Sequence, residues 1–253
     1  MVFNSPLLYE NKGFLKKSDA EAFISKLPKV LKVEQVKKEK ENKNAPTLFN
    51  LAELQAECSK RYKISPDETL SVVQTLYENK MTTYPRTDAR VLSSAIAKVV
   101  RKNINGLRSY STEIASFCDT IINNDLDQNI QKSTRYVDDA KISDHYAIIP
   151  TGEAIERFPS LSDLEKKIYD LIVRRFLSIF YPPAVYYKVT LGEKAEHEIF
   201  VRTIKILQEP GYMRITGIPE TDPDARKTAE AISNLSEGME IPGTYMITQA
   251  ETA

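Results

Sequence analysis

The chain has 253 residues, 42% of them hydrophobic and 28% charged, which is ordinary for a globular protein of one large or two modest domains. Its 35 basic residues equal its 35 acidic residues, and this balance excludes a global basic field that could hold nucleic acid without local binding sites. No apolar run is long enough to span a bilayer, and the start lacks the basic end and apolar core of a signal peptide.

The opening residues are predicted to form one short helix and one strand. The helix covers residues 18–28 with Ser18 as its N-cap, and the strand runs from Val30 to Val36. The run that follows, KKEKENKNAP, is too polar to bury itself. It therefore predicts an exposed connector.

From Pro46 the pattern becomes helical. Apolar residues recur at helical spacing over residues 51–62, and a capping box at Ser65-Pro-Asp-Glu68 predicts a second helix that ends near Asn79. The inward face of this second helix is expected to carry Leu70, Val73 and Tyr77. Two helices joined by a short turn and followed by extended chain resemble a helix-turn-helix unit.

Three more helices are predicted before the chain changes character. Ser93 caps the first, and its inward residues are expected to be Ile96, Val99 and Val100. The next helix runs from Ser111 to Asn123, and residues 132–152 are irregular. The strongest helical period in the chain follows the capping box Ser162-Asp-Leu-Glu165 and ends at Tyr181-Pro-Pro183.

After Pro183 the pattern is β again. Two strands, Val185–Leu191 and Glu198–Leu207, are predicted with Gly192 near the turn between them. Residues 220–238 predict a loop with a little helix, and residues 243–250 predict a last strand. The chain is therefore predicted to be α+β, with a helical part inserted between two β-rich parts.

The segment Tyr84-Pro-Arg86 combines two groups that suit phosphate chemistry. A phenol has an ordinary pKa of about 10, so it attacks a phosphodiester only when its proton is removed and the growing charge is met. Pro85 favours extended chain at Tyr84, and extended residues two apart face the same side. The Arg86 guanidinium would then meet a phosphate attacked by Tyr84, with Asp88 orienting the arginine.

The residues around this segment resemble a known family. MTTYPRTDARVLS is similar to the active-site run of type IA DNA topoisomerases, written tyrosine-proline-arginine-threonine-aspartate-serine in the topoisomerase III branch. PTLFNLAELQAECSKRYKIS and TLSVVQTLYENKMTTY resemble the helix pair before the family's tyrosine, and HYAIIPT resembles its histidine-containing segment downstream. The resemblance implies a helical, helix-turn-helix-like catalytic-tyrosine domain at residues 46–183, inserted in a β-rich arch domain formed by residues 1–45 and 184–253.

The resemblance implies a role for individual residues. Tyr84 matches the nucleophile that forms a 5′-phosphotyrosyl link and releases a 3′-hydroxyl, Arg86 the arginine beside the scissile phosphate, and Asp88 the acidic residue after it. His145 matches the active-site histidine, with a hydrogen-bonded structural histidine as the alternative. The implied contacts to single-stranded DNA are Gln74, Glu78, Thr83 and Tyr146.

Some of these roles stay open at the level of sequence. Gln74 and Glu78 are four residues apart on one helix face, where a solvated face is as good an interpretation as a joint role. Ala89 replaces the family's usual serine, and Tyr146 replaces a histidine frequent in the topoisomerase III branch. Tyr146 could instead stack on a base, worth about 1–3 kcal/mol. His197 is interpreted as structural or exposed.

The resemblance also implies a Mg²⁺ requirement that this sequence does not meet. The metal carboxylates belong to a TOPRIM-type domain, and the nearest acidic pair in this chain, Asp138-Asp139, is better interpreted as a solvated loop. The Mg²⁺ ligands are therefore expected in a TOPRIM part of the same polypeptide. The missing TOPRIM and C-terminal parts are expected partners of this stretch, which is expected to be inactive alone. Cys58 and Cys118 have no paired spacing, so neither a disulfide framework nor a zinc site is expected.

The expected function is ATP-independent cleavage and religation of one DNA strand by a cytoplasmic, nucleoid-associated enzyme. No glycine-rich phosphate loop is present among the eight glycines. The alternative is a non-catalytic module of the same fold that binds single-stranded DNA. A tyrosine recombinase would need several arginines and histidines at other spacings, which the sequence lacks.

Overall fold

The computed structural model describes residues 14–195, 198–219 and 224–247. Its helices are α1 (Lys17–Ile24), α2 (Leu51–Tyr62), α3 (Pro66–Glu78), α4 (Ser94–Leu107), α5 (Thr112–Asn123), α6 (Leu126–Asn129), α7 (Asp163–Ser178), α8 (Met213–Thr216) and α9 (Ala225–Ser233). Short 3₁₀ turns cover Ile130–Lys132, Asp139–Lys141 and Ile155–Ser160. The strands are β1 (Val30–Lys43), β2 (Ala184–Ala195), β3 (Glu198–Glu209) and β4 (Glu240–Pro242). The predicted α+β class is confirmed.

The chain divides into two compact units. The first contains the described residues of Met1–Asn42, Val185–Glu209 and Pro219–Ala253, and the second contains Lys43–Ala184 and Pro210–Ile218. In the described part of the chain no helix is long and apolar enough to cross a membrane.

The first unit is built on a four-stranded sheet in the order β3-β2-β1-β4. β2 pairs with β3 and β1 pairs with β4, both antiparallel. Alternate residues of the strands turn to one face, where they form an apolar cluster with α9: Val33, Val189, Leu191, Ile204, Ile206, Ala229 and Ile232. Burial of this face is the main stabilising term of the unit.

Strand β1 corrects the prediction of an exposed connector. The charged residues after Val36 continue the strand to Lys43, because their side chains find partners of opposite charge. Lys205 of β3 contacts Glu41 at 2.7 Å, and Lys188 of β2 contacts Glu39 at 3.8 Å. Charged residues can therefore extend a strand when their neighbours across the sheet are complementary.

Three predictions in or next to the sheet also need correction. Gly192 lies within β2, paired with Val201, and not at the turn. Residues 243–247 are not strand, the last strand being β4, and the rest of the predicted 243–250 strand lies outside the described residues. Helix α1 begins at Lys17 and has no side-chain cap, so Ser18 is not its N-cap. His197 lies outside the described residues.

The second unit confirms the local helix signals of the sequence. Ser65, Ser93 and Ser111 accept hydrogen bonds from backbone N–H groups in the first turns of α3, α4 and α5. Ser162 and Glu165 form both bonds of a capping box at α7. Two residues predicted to face the core are exposed instead. Val99 of α4 is 55% exposed, and Tyr77 of α3 is 38% exposed. The core of α4 is formed instead by Ala97, Val100, Ile104 and Leu107.

Helix α4 packs backbone to backbone against the segment that follows Pro150. A Cβ on Gly106 would lie 2.0 Å from the carbonyl oxygen of Gly152, and Gly152 itself has a φ of +75°. The Asn103 side chain donates a hydrogen bond to the Pro150 carbonyl at 3.0 Å. This close approach fixes the position of residues 147–152, which border the candidate site.

Gly106→Ala is expected to destabilise the protein, although alanine is normally better than glycine inside a helix by about 1 kcal/mol. The sign reverses because the new Cβ would overlap backbone atoms that cannot move aside. We expect a loss of about 1–3 kcal/mol in a denaturant titration. Lys98→Ala, at an exposed position of the same helix, is the control and should be near neutral. Equal or greater stability of Gly106→Ala would contradict the packing.

Candidate active site

The segment that carries Tyr84 leaves α3 at a sharp turn, bends at Pro85 and turns tightly at Arg86, where the Thr87 N–H donates to the Pro85 carbonyl at 3.1 Å. Burial alternates along it, with Pro85, Thr87 and Ala89 buried and the even-numbered neighbours turned outward. The alternation shows that the segment rests on the core through its odd-numbered residues, while Tyr84, Arg86 and Asp88 are turned away from it. Tyr84 and Arg86 therefore face the same side of the segment.

Thr83 fastens this segment to residues 147–149, which lie far away in the sequence. Its backbone N–H donates to the Ile149 carbonyl at 3.0 Å. Its hydroxyl donates to the Ala147 carbonyl at 3.1 Å and accepts from the Ile149 N–H at 2.9 Å. Three hydrogen bonds thus hold the residue before Tyr84 against the residues after His145.

Thr83→Val should test this fastening, since valine keeps the shape of threonine and removes the hydroxyl. Both hydroxyl bonds disappear and two buried backbone groups are left unpaired, so we expect a loss of about 1–3 kcal/mol in unfolding free energy. The measurement is chemical denaturation, with Thr75→Val on α3 as the control, because the Thr75 hydroxyl donates only to the carbonyl of Ser71 in its own helix. Equal losses for the two variants would refute the special role of Thr83.

A second threonine fixes His145. The Thr87 hydroxyl donates to the His145 carbonyl at 2.6 Å and accepts from the Ala89 N–H at 3.1 Å. Ala89, which stands where the family usually has serine, is buried, and its backbone N–H is the group that donates to the Thr87 hydroxyl. The histidine backbone is held while its side chain stays exposed.

The Tyr84 ring lies between two other rings. Its centroid is 4.4 Å from that of His145 and 5.5 Å from that of Tyr77, the latter contact being edge-on at 81°. The ring is half-buried, and its hydroxyl makes no hydrogen bond to any described residue. A tyrosine held by its ring with a free hydroxyl is arranged to present that oxygen to a ligand.

A cleft of about 560 Å³ opens beside this ring. The residues that line it are Tyr77, Glu78, Lys80, Thr82, Thr83, Tyr84, His145, Tyr146, Thr151 and Glu153. Four of the lining residues are aromatic rings, and three carry a formal charge at neutral pH. Burial raises the pKa of Tyr146 above its ordinary value, so this phenol stays neutral. Aromatic faces and charges in one concave site fit a nucleotide better than an apolar ligand.

The predicted site residues are only partly brought together. Tyr84, Glu78, Thr83, His145 and Tyr146 line the cleft, whereas Arg86, Asp88 and Gln74 do not. Gln74 is tied to the cleft indirectly, because its side-chain amide donates to the Glu78 carboxylate at 3.1 Å. The two residues four apart therefore form a hydrogen-bonded pair.

The expectation that Asp88 orients Arg86 is wrong. Both side chains are exposed, and no ion pair joins them in the described part of the chain. Asp88 is held through its backbone carbonyl, which accepts a hydrogen bond from the Asn50 side chain at 3.0 Å. The Arg86 guanidinium makes no hydrogen bond or ion pair with any described residue. It is thus available to an external anion.

Five lining residues are not expected from the sequence: Tyr77, Lys80, Thr82, Thr151 and Glu153. Tyr77 follows the helical period of the core, and this spacing predicts a core residue. Thr151 and Glu153 reach the cleft through the antiparallel bridge between Thr82 and Pro150. The positive φ of Lys80, +62°, has no local sequence signal such as glycine.

The described residues contain no cluster of three or more histidine, cysteine, aspartate or glutamate side chains that could hold a metal ion. The Asp138-Asp139 pair has structural partners. Asp138 accepts from the Ala140 N–H and pairs with Lys141, and Asp139 accepts from the Ser94 N–H at 2.9 Å. These contacts hold the pKa of both carboxyls below the usual range. The Asp138-Asp139 pair is therefore engaged in contacts within the chain.

Comparison with known protein families gives one match over nearly the whole chain. Residues 6–253 match the model of a family described as DNA topoisomerase. Among curated proteins, the DNA topoisomerase 3 of Bacillus licheniformis is 35% identical over 206 residues, which are 80% of this chain and 27% of that protein. The DNA topoisomerase 3 of Bacillus subtilis is 38% identical over 193 residues, which are 75% of this chain and 25% of that protein.

The fold is also similar to a solved structure. Full-length topoisomerase I from Thermotoga maritima superposes with a TM-score of 0.59 at 20% identity, covering 91% of this chain and 35% of that one. At this identity the similarity concerns the fold alone. The chain spans about a quarter of the length of the two curated relatives it matches.

Proposed function

The chain belongs to the type IA DNA topoisomerase family, in the topoisomerase III branch, and on this basis we propose that Tyr84 is the nucleophile that cleaves one DNA strand. The observation that supports the proposal best is the Tyr84 ring, packed between Tyr77 and His145 with its hydroxyl free among the described residues. A residue in such a position has no structural use for its hydroxyl.

The proposed reaction is a transesterification. The Tyr84 phenolic oxygen attacks the phosphorus, a phosphotyrosyl bond forms, and the bond from phosphorus to the 3′-oxygen breaks. The phenol loses its proton and the leaving 3′-oxygen gains one, so protons balance. Religation is the reverse step and needs no ATP, because the phosphodiester bond energy is kept in the protein–DNA link. Religation after passage of a second strand would change DNA topology.

The other site residues are proposed to support this step. Arg86 is exposed on the same side of the segment as Tyr84, where its guanidinium can donate hydrogen bonds to the phosphate oxygens and neutralise their charge. His145, whose ring contacts Tyr84, limits the orientation of the phenol and lies close enough to share the bound strand. The Gln74–Glu78 pair, Thr83 and Tyr146 are proposed as contacts to the single strand, and Asp88 as an exposed residue beside it.

The activity is proposed for a longer polypeptide. We propose that the Mg²⁺ ligands come from a TOPRIM-type part of it and that residues 1–45 and 184–253 belong to an arch domain carrying residues 46–183. Magnesium would supply charge neutralisation at the phosphate. The residues of this chain bind and orient the strand and supply the nucleophile.

The test is covalent capture. The complete polypeptide encoded by the gene is incubated with a single-stranded oligonucleotide labelled at its 3′ end and Mg²⁺, then stopped with denaturant. We expect a labelled protein–DNA adduct that resists denaturant and disappears on nuclease digestion. A non-catalytic module that only binds single strands would give no adduct, and this result would refute the proposal.

A further inference from the structure

The cleft beside Tyr84 contains one cationic side chain that forms no direct ion pair. The carboxylate of Glu78 accepts a hydrogen bond from Gln74, and that of Glu153 is paired with Lys102 at 2.8 Å. Lys80 forms no ion pair or side-chain hydrogen bond in the described part of the chain, but its charge, after that of Lys102, helps to lower the pKa of the Glu153 carboxyl. Because Glu153 is paired directly with Lys102, the Lys80 ammonium keeps its hydrogen-bond donors available to an anion that enters the cleft.

The backbone of Lys80 is strained in a way that a glycine would relieve. Its φ is +62°, in the left-handed region. The turn is held from both sides: the Lys80 N–H donates to the Tyr77 carbonyl at 2.8 Å, and the Thr151 hydroxyl donates to the Lys80 carbonyl at 2.6 Å. A strained residue whose conformation is fixed by its neighbours is a reason to look for a functional use of its side chain.

The walls of the cleft suit the remainder of a nucleotide. Tyr77 is 38% exposed at the end of α3, directly before the Lys80 turn, and Tyr146 is half-buried opposite an open volume of about 560 Å³. Pockets for small ligands usually have about 300–1,000 Å³, so a nucleotide fits. Aromatic faces combined with a cation are the usual means of holding single-stranded nucleic acid without reading its sequence.

We propose that this cleft is a nucleotide subsite in which Lys80 binds a backbone phosphate next to the one attacked by Tyr84, with Tyr77 against the attached nucleoside. The proposal rests on the proposed function and goes beyond it by adding a binding residue that takes no part in bond breaking. Arg86, which does not line the cleft, would contact the attacked phosphate, and Lys80 a neighbouring one. The bound strand would thus be held by two cations on either side of the nucleophile.

The test compares two lysines with the same backbone conformation. Lys63 has a φ of +59° after α2, is exposed and lies outside the cleft. We expect both Lys80→Gly and Lys63→Gly to raise the melting temperature, since each relieves left-handed strain. Only Lys80→Gly should weaken binding of a single-stranded oligonucleotide, by about threefold to tenfold at low salt. It should also reduce the slope of log K against log salt by about 0.7, the value for one phosphate contact.

Binding is measured with the complete encoded polypeptide carrying Tyr84→Phe, so that no covalent capture interferes. A series of oligonucleotides, each with one neutral methylphosphonate, should show one linkage beside the cleavage site whose neutralisation weakens the parent and leaves Lys80→Gly unaffected. Equal affinity and salt slope for Lys80→Gly and Lys63→Gly would overturn the subsite while leaving the nucleophile intact. Failure of the parent to bind any single strand would count against the proposed function and the subsite together.

Discussion

Tyr84→Phe is expected to abolish the covalent protein–DNA adduct completely while leaving the fold unchanged. Phenylalanine keeps the ring contacts to Tyr77 and His145 and removes only the attacking oxygen. Because the hydroxyl makes no hydrogen bond to a described residue, unfolding free energy should change by no more than about 0.5 kcal/mol. Adduct yield in denaturing gels and the midpoint of a denaturant titration are the two measurements.

The matched control is Tyr77→Phe. This residue is a tyrosine in the same cleft, and its ring touches Tyr84. Adduct formation by Tyr77→Phe should persist, because the Tyr77 hydroxyl has no part in the proposed reaction. An adduct formed by Tyr84→Phe at the wild-type level would mean that another residue is the nucleophile.

Arg86→Lys is expected to slow cleavage strongly although the positive charge is kept. The lysine ammonium is a point charge, whereas the guanidinium can donate hydrogen bonds to two phosphate oxygens at once. Removing such a donor from a transition state costs about 10²–10³ in rate, and Arg86→Ala should reach that range. The single-turnover rate of adduct formation is the measurement, at oligonucleotide concentrations that saturate binding.

Arg90→Lys provides the control for the arginine series. Arg90 lies further along the same exposed side of the segment. Its guanidinium already forms an ion pair with Glu53 at 3.1 Å and donates a hydrogen bond to the Leu48 carbonyl. Its replacement should leave the cleavage rate within about twofold of wild type, because it has no free donor fork for DNA. A wild-type rate in Arg86→Lys, or equal losses in both variants, would refute a specific role for the Arg86 guanidinium.

The helices are predictable from sequence where their signals are local. Ser93, Ser111 and Ser162 are caps within three residues of the N–H groups they bond, so the sequence alone places these starts. The length of β1 is not predictable in this way. Its charged end is stabilised by Lys188 and Lys205, which lie more than 140 residues further along the chain.

The candidate site likewise combines features that the local sequence predicts with features that depend on residues far apart in the chain. The alternation around Pro85 predicts that Tyr84 and Arg86 share a face, because neighbouring residues decide it. The cleft depends on contacts between residues 80–84 and residues 145–153, and no local pattern reveals them. Tyr77 shows the limit most clearly, since its helical spacing indicates a core residue while the structure places its ring against Tyr84.

The most direct measurement of the central claim identifies the residue that carries the DNA. The adduct formed by the wild-type polypeptide is digested with nuclease and trypsin, and the modified peptide is sequenced by mass spectrometry. We predict a nucleotide remnant on Tyr84 within the tryptic peptide that spans residues 81–86. A remnant on Tyr77 or Tyr146, the other tyrosines of the cleft, would contradict the assignment of Tyr84 as the nucleophile.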